Sequence, residues 1–195
     1  MAQRFKRLAV YCGSSNHVHE RYFAAAAAMG RLLAERDIGL VFGGGRVGLM
    51  GAVADAALQG GGEVYGVIPH KLQDLELGHT GCTELFVVDS MHARKMMMAT
   101  LSDGFIALPG GWGTLEELFE MTTWAQLNYH RKPIGALNLD GYYDPLFAWV
   151  DRAVADHFIR PLHQGLIVSE STPQALLDAM NAQVIPDLST WIDNP

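Results

Sequence analysis

Short apolar runs alternate along the chain with stretches in which apolar side chains recur every three or four residues. Residues 8–12 read as a strand closed by Gly13-Ser14-Ser15, and the Ala-rich segment 22–36, with leucines at helical spacing, reads as a helix. The unit repeats. Residues 38–42 lead through Gly43-Gly44-Gly45 into a helix ending near Gln59, and residues 64–68 form a strand stopped by Pro69. A strand at 85–88 precedes a helix that Ser90 can cap and that runs to about Leu101. Residues 105–108 precede a Pro-Gly-Gly turn and a helix to about Leu127; residues 134–139 precede one over 146–157; residues 166–168 precede one with Thr172 as cap and Pro173 at its first position. Strands that are apolar throughout, each followed by a helix, are strands covered on both faces. The fold class is therefore α/β: a doubly wound, Rossmann-like parallel sheet with helices on both faces.

Composition narrows this further. The chain has 195 residues, 49% hydrophobic, with no linker, low-complexity tract or internal repeat, so residues 1–195 are expected to form a single nucleotide-binding domain. A net charge of -7 disfavours a surface built for a nucleic-acid backbone or anionic lipid, so an anionic ligand needs a local pocket. The apolar run behind the basic start is too short for a signal peptide, and no stretch approaches the ~20 residues of a membrane span. A cytoplasmic protein is expected, and Cys12 and Cys82 are then reduced thiols.

In an open parallel sheet the loops after the strands share the carboxyl edge, where ligands bind. Three of these loops are small and polar: Gly13-Ser14-Ser15, Gly43 to Gly48, and Pro109 to Thr114. Glycines let backbone approach an anion, and the helix that follows offers unpaired N–H groups at the positive end of its dipole, so phosphate is the natural guest. Gly13, Ser14, Gly43, Gly44 and Gly45 are accordingly candidate nucleotide contacts. Gly43-x-Gly45-x-x-Gly48 spells a dinucleotide fingerprint, yet the next strand ends Val67-Ile68-Pro69-His70 rather than in an acid for the ribose. Gly48 and Gly51 have a competing reading as close-packing positions. No cofactor is expected.

Thr114-Leu115-Glu116-Glu117 also reads as a capping box, Thr114 at N-cap and Glu117 at N3, which would make Glu117 a helix starter. Three glycines and a proline in the five residues before Thr114 exceed what a cap needs. A carboxylate beside a phosphate-binding turn calls for a cation. Met91-His92-Ala93-Arg94-Lys95 opens the preceding helix at the same edge; Arg94 and Lys95 point about 100° apart, so one of them faces the ligand. His92 has no His or Cys at ligand spacing, and no metal is expected.

These motifs, Gly43-Gly44-Gly45-Arg46-Val47-Gly48-Leu49-Met50-Gly51, Met91-His92-Ala93-Arg94-Lys95 and Pro109-Gly110-Gly111-Trp112-Gly113-Thr114-Leu115-Glu116-Glu117, resemble in order and spacing the Lonely Guy (LOG) family of cytokinin-activating phosphoribohydrolases. The resemblance runs from Tyr11-Cys12-Gly13 to the Thr123-Trp124-Ala125 helix. It implies hydrolysis of the N-glycosidic bond of an N6-modified adenosine 5′-monophosphate, or of AMP, to free base and ribose 5-phosphate. The family's key Arg and Glu fall on Arg94 and Glu117. Its further substrate contacts fall on Glu76, Lys95, Gly111, Trp112, Gly113, Thr114, Leu115, Glu116 and Thr123. Family members are commonly homodimers, and the Met96-Met97-Met98 run suits either such an interface or a core. Two other readings stand beside this one: a nucleotide carrier of the same fold that does no chemistry, and a lysine decarboxylase, which would need a Schiff-base lysine from among Lys6, Lys71, Lys95 and Lys132.

Overall fold

The computed structural model describes residues 5–75 and 77–185. Seven strands pair entirely in parallel: β1 (Arg7–Tyr11), β2 (Gly39–Phe42), β3 (Val64–Pro69), β4 (Glu84–Val88), β5 (Phe105–Ala107), β6 (Ile134–Leu137) and β7 (Ile167–Glu170). Their order across the sheet is β4-β3-β2-β1-β5-β6-β7. The chain works outward from β1 to one edge, returns to lay β5 against the other side of β1, and works outward again. The carboxyl ends of β1 and β5 thus flank the switch in strand order, where a crevice opens because successive crossovers diverge.

Alternation along each strand sends side chains to two cores. Leu8, Val10, Leu40, Phe42, Ile106 and Leu108 face the helices α1 (Glu20–Glu35), α2 (Gly48–Gln59) and α7 (Pro173–Ala182). Ala9, Tyr11, Val41, Val67, Phe105 and Ala107 face α4 (Met91–Leu101), α5 (Trp112–Gln126) and α6 (Asp144–Ala155). Helices therefore cover both faces, and the fold is the doubly wound Rossmann-like sheet that the sequence predicts. Each fully buried Leu or Phe contributes roughly 1.5–3 kcal/mol, so the two cores fix the strand ends that carry the loops.

Local departures from expectation have physical causes. The first helix starts at Glu20, two residues early, because the His19 ring caps it by accepting from Arg21 N–H. Pro69 ends β3 but also serves as N-cap of a one-turn helix, α3 (His70–Gln73). Strand β6 stops at Leu137 rather than 139, since Asp140 takes a left-handed φ of 50° in a 3-10 turn over Leu139–Gly141. A second 3-10 segment, Pro161–Leu166, leads into β7. The Met96-Met97-Met98 run divides between core and surface: Met98 is fully buried and Met96 is exposed. Among the described residues no helix is long and apolar enough to cross a membrane.

Candidate active site

Three loops close over the crevice at the β1–β5 switch. Gly13 and Ser14 follow β1, Gly43, Gly45 and Val47 follow β2, and Gly111 to Thr114 follow β5; together they line a cavity of about 380 Å³. Apolar side chains of Met50, Ile68, Leu72 and Leu77 form one wall, and Arg94, Thr114 and Glu117 supply polar groups. The loops are locked to one another. Gly48 adopts φ +61°, and a Cβ there would lie 2.4 Å from the Ser14 backbone, so only glycine lets the first two loops meet. The Asn16 side chain accepts from Gly48 N–H at 2.8 Å, and Gly13 N–H donates to Pro109 at 3.2 Å.

The third loop ends differently from the capping-box expectation. Helix α5 begins at Trp112 with Gly111 at N-cap, and no side chain caps it. Thr114 is consequently the third helical residue, and Glu117 lies a further turn in. That reading of Glu117 is overturned: its carboxylate is too deep in the helix to reach the N-cap amide. The uncapped turn keeps its first N–H groups without an intrahelical partner, at the positive end of the α5 dipole. A Cβ added at Gly111 or Gly113 would meet nothing within 4 Å. Those two glycines therefore leave open room against bare backbone, which is what an oxyanion cradle needs.

Arg94 and Glu117 form the polar floor. Arg94 lies one turn into α4, whose start is fixed by Ser90 accepting from Ala93 N–H. Its guanidinium donates to Glu117 Oε1 at 3.2 Å, to the Val67 carbonyl at 3.1 Å and to the Gly43 carbonyl at 3.3 Å. A Cβ at Gly43 would fall 1.8 Å from Arg94 Nη2, so the residue at the end of β2 is glycine because Arg94 passes there. Both charged side chains are about nine-tenths buried. Burial pushes the Glu117 carboxyl up from its ordinary 4.5 to about 7; Arg94 pulls the other way but does not cancel it. Burial likewise raises the Tyr11 hydroxyl and the Cys12 thiol beside them, and the Glu117 carboxylate adds to both shifts. Cys12 is thus no thiolate nucleophile at neutral pH.

Lys95 turns the other way. It is buried against α5, paired with Glu116 and, at 3.1 Å, with Glu120. Desolvation would lower its pKa, but the hydrogen bonds to Glu116 and Glu120 outweigh that and raise it. Of the residues that the sequence singles out, Gly13, Ser14, Gly43, Gly45, Arg94, Gly111, Trp112, Gly113, Thr114 and Glu117 line the cavity. Gly44, Lys95, Leu115, Glu116 and Thr123 do not. Gly44 is buried behind the loop, its carbonyl taken by His79 N–H, and Thr123 lies further along α5 on a separate cavity. Glu76 lies outside the described residues. Sequence reasoning missed the tyrosines that brace the third loop: Tyr142 donates to the Gly110 carbonyl and Tyr143 to the Leu108 carbonyl, each at 2.7 Å. Adjacent aromatics after a Gly were the only signal.

A family model described as "Possible lysine decarboxylase" matches residues 50–180. The chain is 51% identical over 174 residues to a cytokinin riboside 5′-monophosphate phosphoribohydrolase of Arabidopsis thaliana, covering 89% of this chain and 80% of the relative. A protein of that name from Oryza sativa subsp. japonica is 48% identical over 174 residues, 89% of this chain and 72% of the relative. The chain belongs to the LOG family. Solved structures share the fold at lower identity: a molybdenum cofactor binding protein of Rippkaea orientalis (TM-score 0.69, 23% identical, covering 93% of this chain and 98% of that one) and the molybdenum cofactor carrier protein of Chlamydomonas reinhardtii (TM-score 0.70, 20% identical, 91% and 97%). As for the decarboxylase description, none of Lys6, Lys71, Lys95 and Lys132 lines the cavity of this LOG-family chain.

Proposed function

We propose that this chain hydrolyses the N-glycosidic bond of N6-modified adenosine 5′-monophosphates, AMP included, to the free base and ribose 5-phosphate. The observation that carries this reading is the buried Glu117 carboxylate, held by Arg94 in the same cavity as the bare, uncapped start of α5. The backbone of Gly111 to Thr114 takes the 5′-phosphate. Breaking the C1′–N bond leaves its electron pair on the base and positive charge on the ribosyl ring. An ionised Glu117 stabilises that charge and accepts the proton of the water whose oxygen bonds to C1′, while the departing base takes up a proton from solvent, so that one water is consumed overall. Its pKa of about 7 matches proton transfer near neutrality. Arg94 keeps the carboxylate in place; a guanidinium is too weak an acid to protonate the leaving base. The apolar wall of Met50, Leu72 and Leu77 gives the base and its N6 substituent a dry surface.

The names of the relatives support this reading, and the homodimer and cytoplasmic setting belong to the same proposal. Exposed Met91 and Met96 on α4 offer an apolar dimer surface, which light scattering of the purified chain would register as twice the monomer mass. Incubating pure protein with AMP or N6-isopentenyladenosine monophosphate should yield base and ribose 5-phosphate in equal amounts by chromatography. Tight binding of the nucleotides with no base released would make the chain a carrier instead.

A further inference from the structure

Every carbonyl from Leu108 to Gly111 has a donor within the protein. Leu108 accepts from the Tyr143 hydroxyl at 2.7 Å, Pro109 from Gly13 N–H at 3.2 Å, Gly110 from the Tyr142 hydroxyl at 2.7 Å and Gly111 from Leu115 N–H at 3.1 Å. Two of these donors are backbone and Tyr143 is buried, whereas Tyr142 is 40% exposed. The loop after β6 is nonetheless built to hold that ring. Strand β6 lies beside β5, so the two loops that follow them meet. Asp140 and Gly141 both take left-handed φ, 50° and 76°, and the Asn138 side chain accepts from Tyr143 N–H and donates to Asp144 Oδ1, each at 2.7 Å. The Tyr142 ring then sits edge-on to Tyr22 and to Tyr143, at 5.7 and 5.1 Å between centroids.

What that hydroxyl controls follows from the glycines. A Cβ at Gly110 would fall 2.1 Å from Thr114 Oγ1, so packing requires glycine there. Gly111 follows it, and a peptide between two glycines can turn about its flanking bonds at little steric cost. In a planar trans unit the carbonyl and the N–H point opposite ways, and no described peptide is cis. With its carbonyl on Tyr142, the Gly110–Gly111 peptide sends Gly111 N–H away from that ring; turned over, it would aim an oxygen where the N–H had been. Gly111 lines the first cavity and Tyr142 does not. We propose that Tyr142 is a positioning residue, whose hydroxyl selects the peptide orientation that presents Gly111 N–H to the 5′-phosphate of the substrate. This rests on the proposed placement of the phosphate at the turn and is independent of the hydrolytic step. It acts on phosphate affinity through the turn, because a carbonyl facing the anion would repel it where an N–H attracts it.

The test titrates the full chain with AMP and with adenosine, which lacks the phosphate, in a Glu117→Gln background that keeps AMP intact. Adding Tyr142→Phe should weaken AMP binding about tenfold, the worth of one hydrogen bond to a charged group, and leave adenosine binding within about twofold. The melting temperature should hold, since the half-exposed ring keeps its packing against Tyr22 and Tyr143. AMP, but not adenosine, should move the Gly111 amide proton downfield, and Tyr142→Phe should shrink that movement. Tyr22→Phe removes a neighbouring hydroxyl that is bonded to Arg21 rather than to the turn, and should leave AMP affinity unchanged. Unchanged AMP affinity in Tyr142→Phe, or equal weakening of AMP and adenosine, would overturn the proposal. A Gly111 amide indifferent to AMP would overturn it together with the phosphate placement. The predicted loss of AMP affinity in a chain that, with Glu117 intact, never releases base would support the role of Tyr142 and refute the hydrolase reading.

Discussion

Two ion-pair clusters join α4 to α5 at consecutive residues, and they behave oppositely. Arg94 meets Glu117 with both side chains about nine-tenths buried, and two backbone carbonyls complete the guanidinium's bonding. Lys95 is as buried, but one of its two partners, Glu116, is half exposed. In the first cluster desolvation dominates and lifts a carboxyl to about 7; in the second the acids dominate and raise the lysine. The same charges, one helical position apart, make a chemical group in one case and a clamp between helices in the other. What separates them is water, because Coulomb attraction and desolvation both scale with the local dielectric.

The sharpest way to break this contrast is to remove each cation. Arg94→Met strands a buried carboxylate and should cost about 3–5 kcal/mol in urea unfolding near pH 8, together with nearly all base release. Lys95→Met should cost about 1–2 kcal/mol, since Glu116 can turn to solvent, and leave base release within a few-fold. Equal costs would remove the distinction.

Stability against pH sharpens it from the side of the acid. The folded pKa of Glu117, about 7, stands above the 4.5 of an ordinary glutamate, so the folded protein holds a proton that the unfolded chain gives up. Its contribution is complete below about pH 4.5 and is lost as pH rises to about 7, up to about 3 kcal/mol in all. Melting curves between pH 5 and 8 should show this decline in the wild type but not in Glu117→Gln. Catalysis should run the other way, base release rising through about pH 7 as the carboxylate forms.

A smaller effect separates fold from cradle. Gly113→Ala puts a methyl into open space, so thermal stability should hold or rise slightly, as an added Cβ inside a helix favours it. The KM for AMP should nevertheless rise about tenfold, a loss of about 1.4 kcal/mol in ligand binding, if the phosphate sits where the proposed function puts it. An unchanged KM would move the phosphate away from this turn.

Much of this was legible in the sequence. Alternating apolar runs and helical spacing gave the strand–helix order, and three Gly-rich turns gave the edge at which the cavity opens. Arg94 and Glu117 could be singled out, but their contact could not, because 23 residues and a β-strand separate them and only the sheet order places α4 beside α5. The capping box misled because its letters are a local signal. Gly111, three residues before Thr114, takes the N-cap by backbone alone, and the helix starts at Trp112. Lys95 and Thr123 carry the family's motif letters, yet their side chains face away from the cavity, a matter of helix phase and packing that spacing alone does not resolve.

In the proposed reaction the buried carboxylate, and not its half-exposed neighbour, does the chemistry. Single-turnover release of adenine from AMP by Glu117→Gln and Glu116→Gln, measured side by side at pH 7.5, tests it directly. Loss of a general acid–base group predicts a fall of about 10²–10⁴-fold for Glu117→Gln and less than tenfold for Glu116→Gln. Equal rates in the two variants, or a Glu117→Gln protein as fast as the wild type, would contradict it.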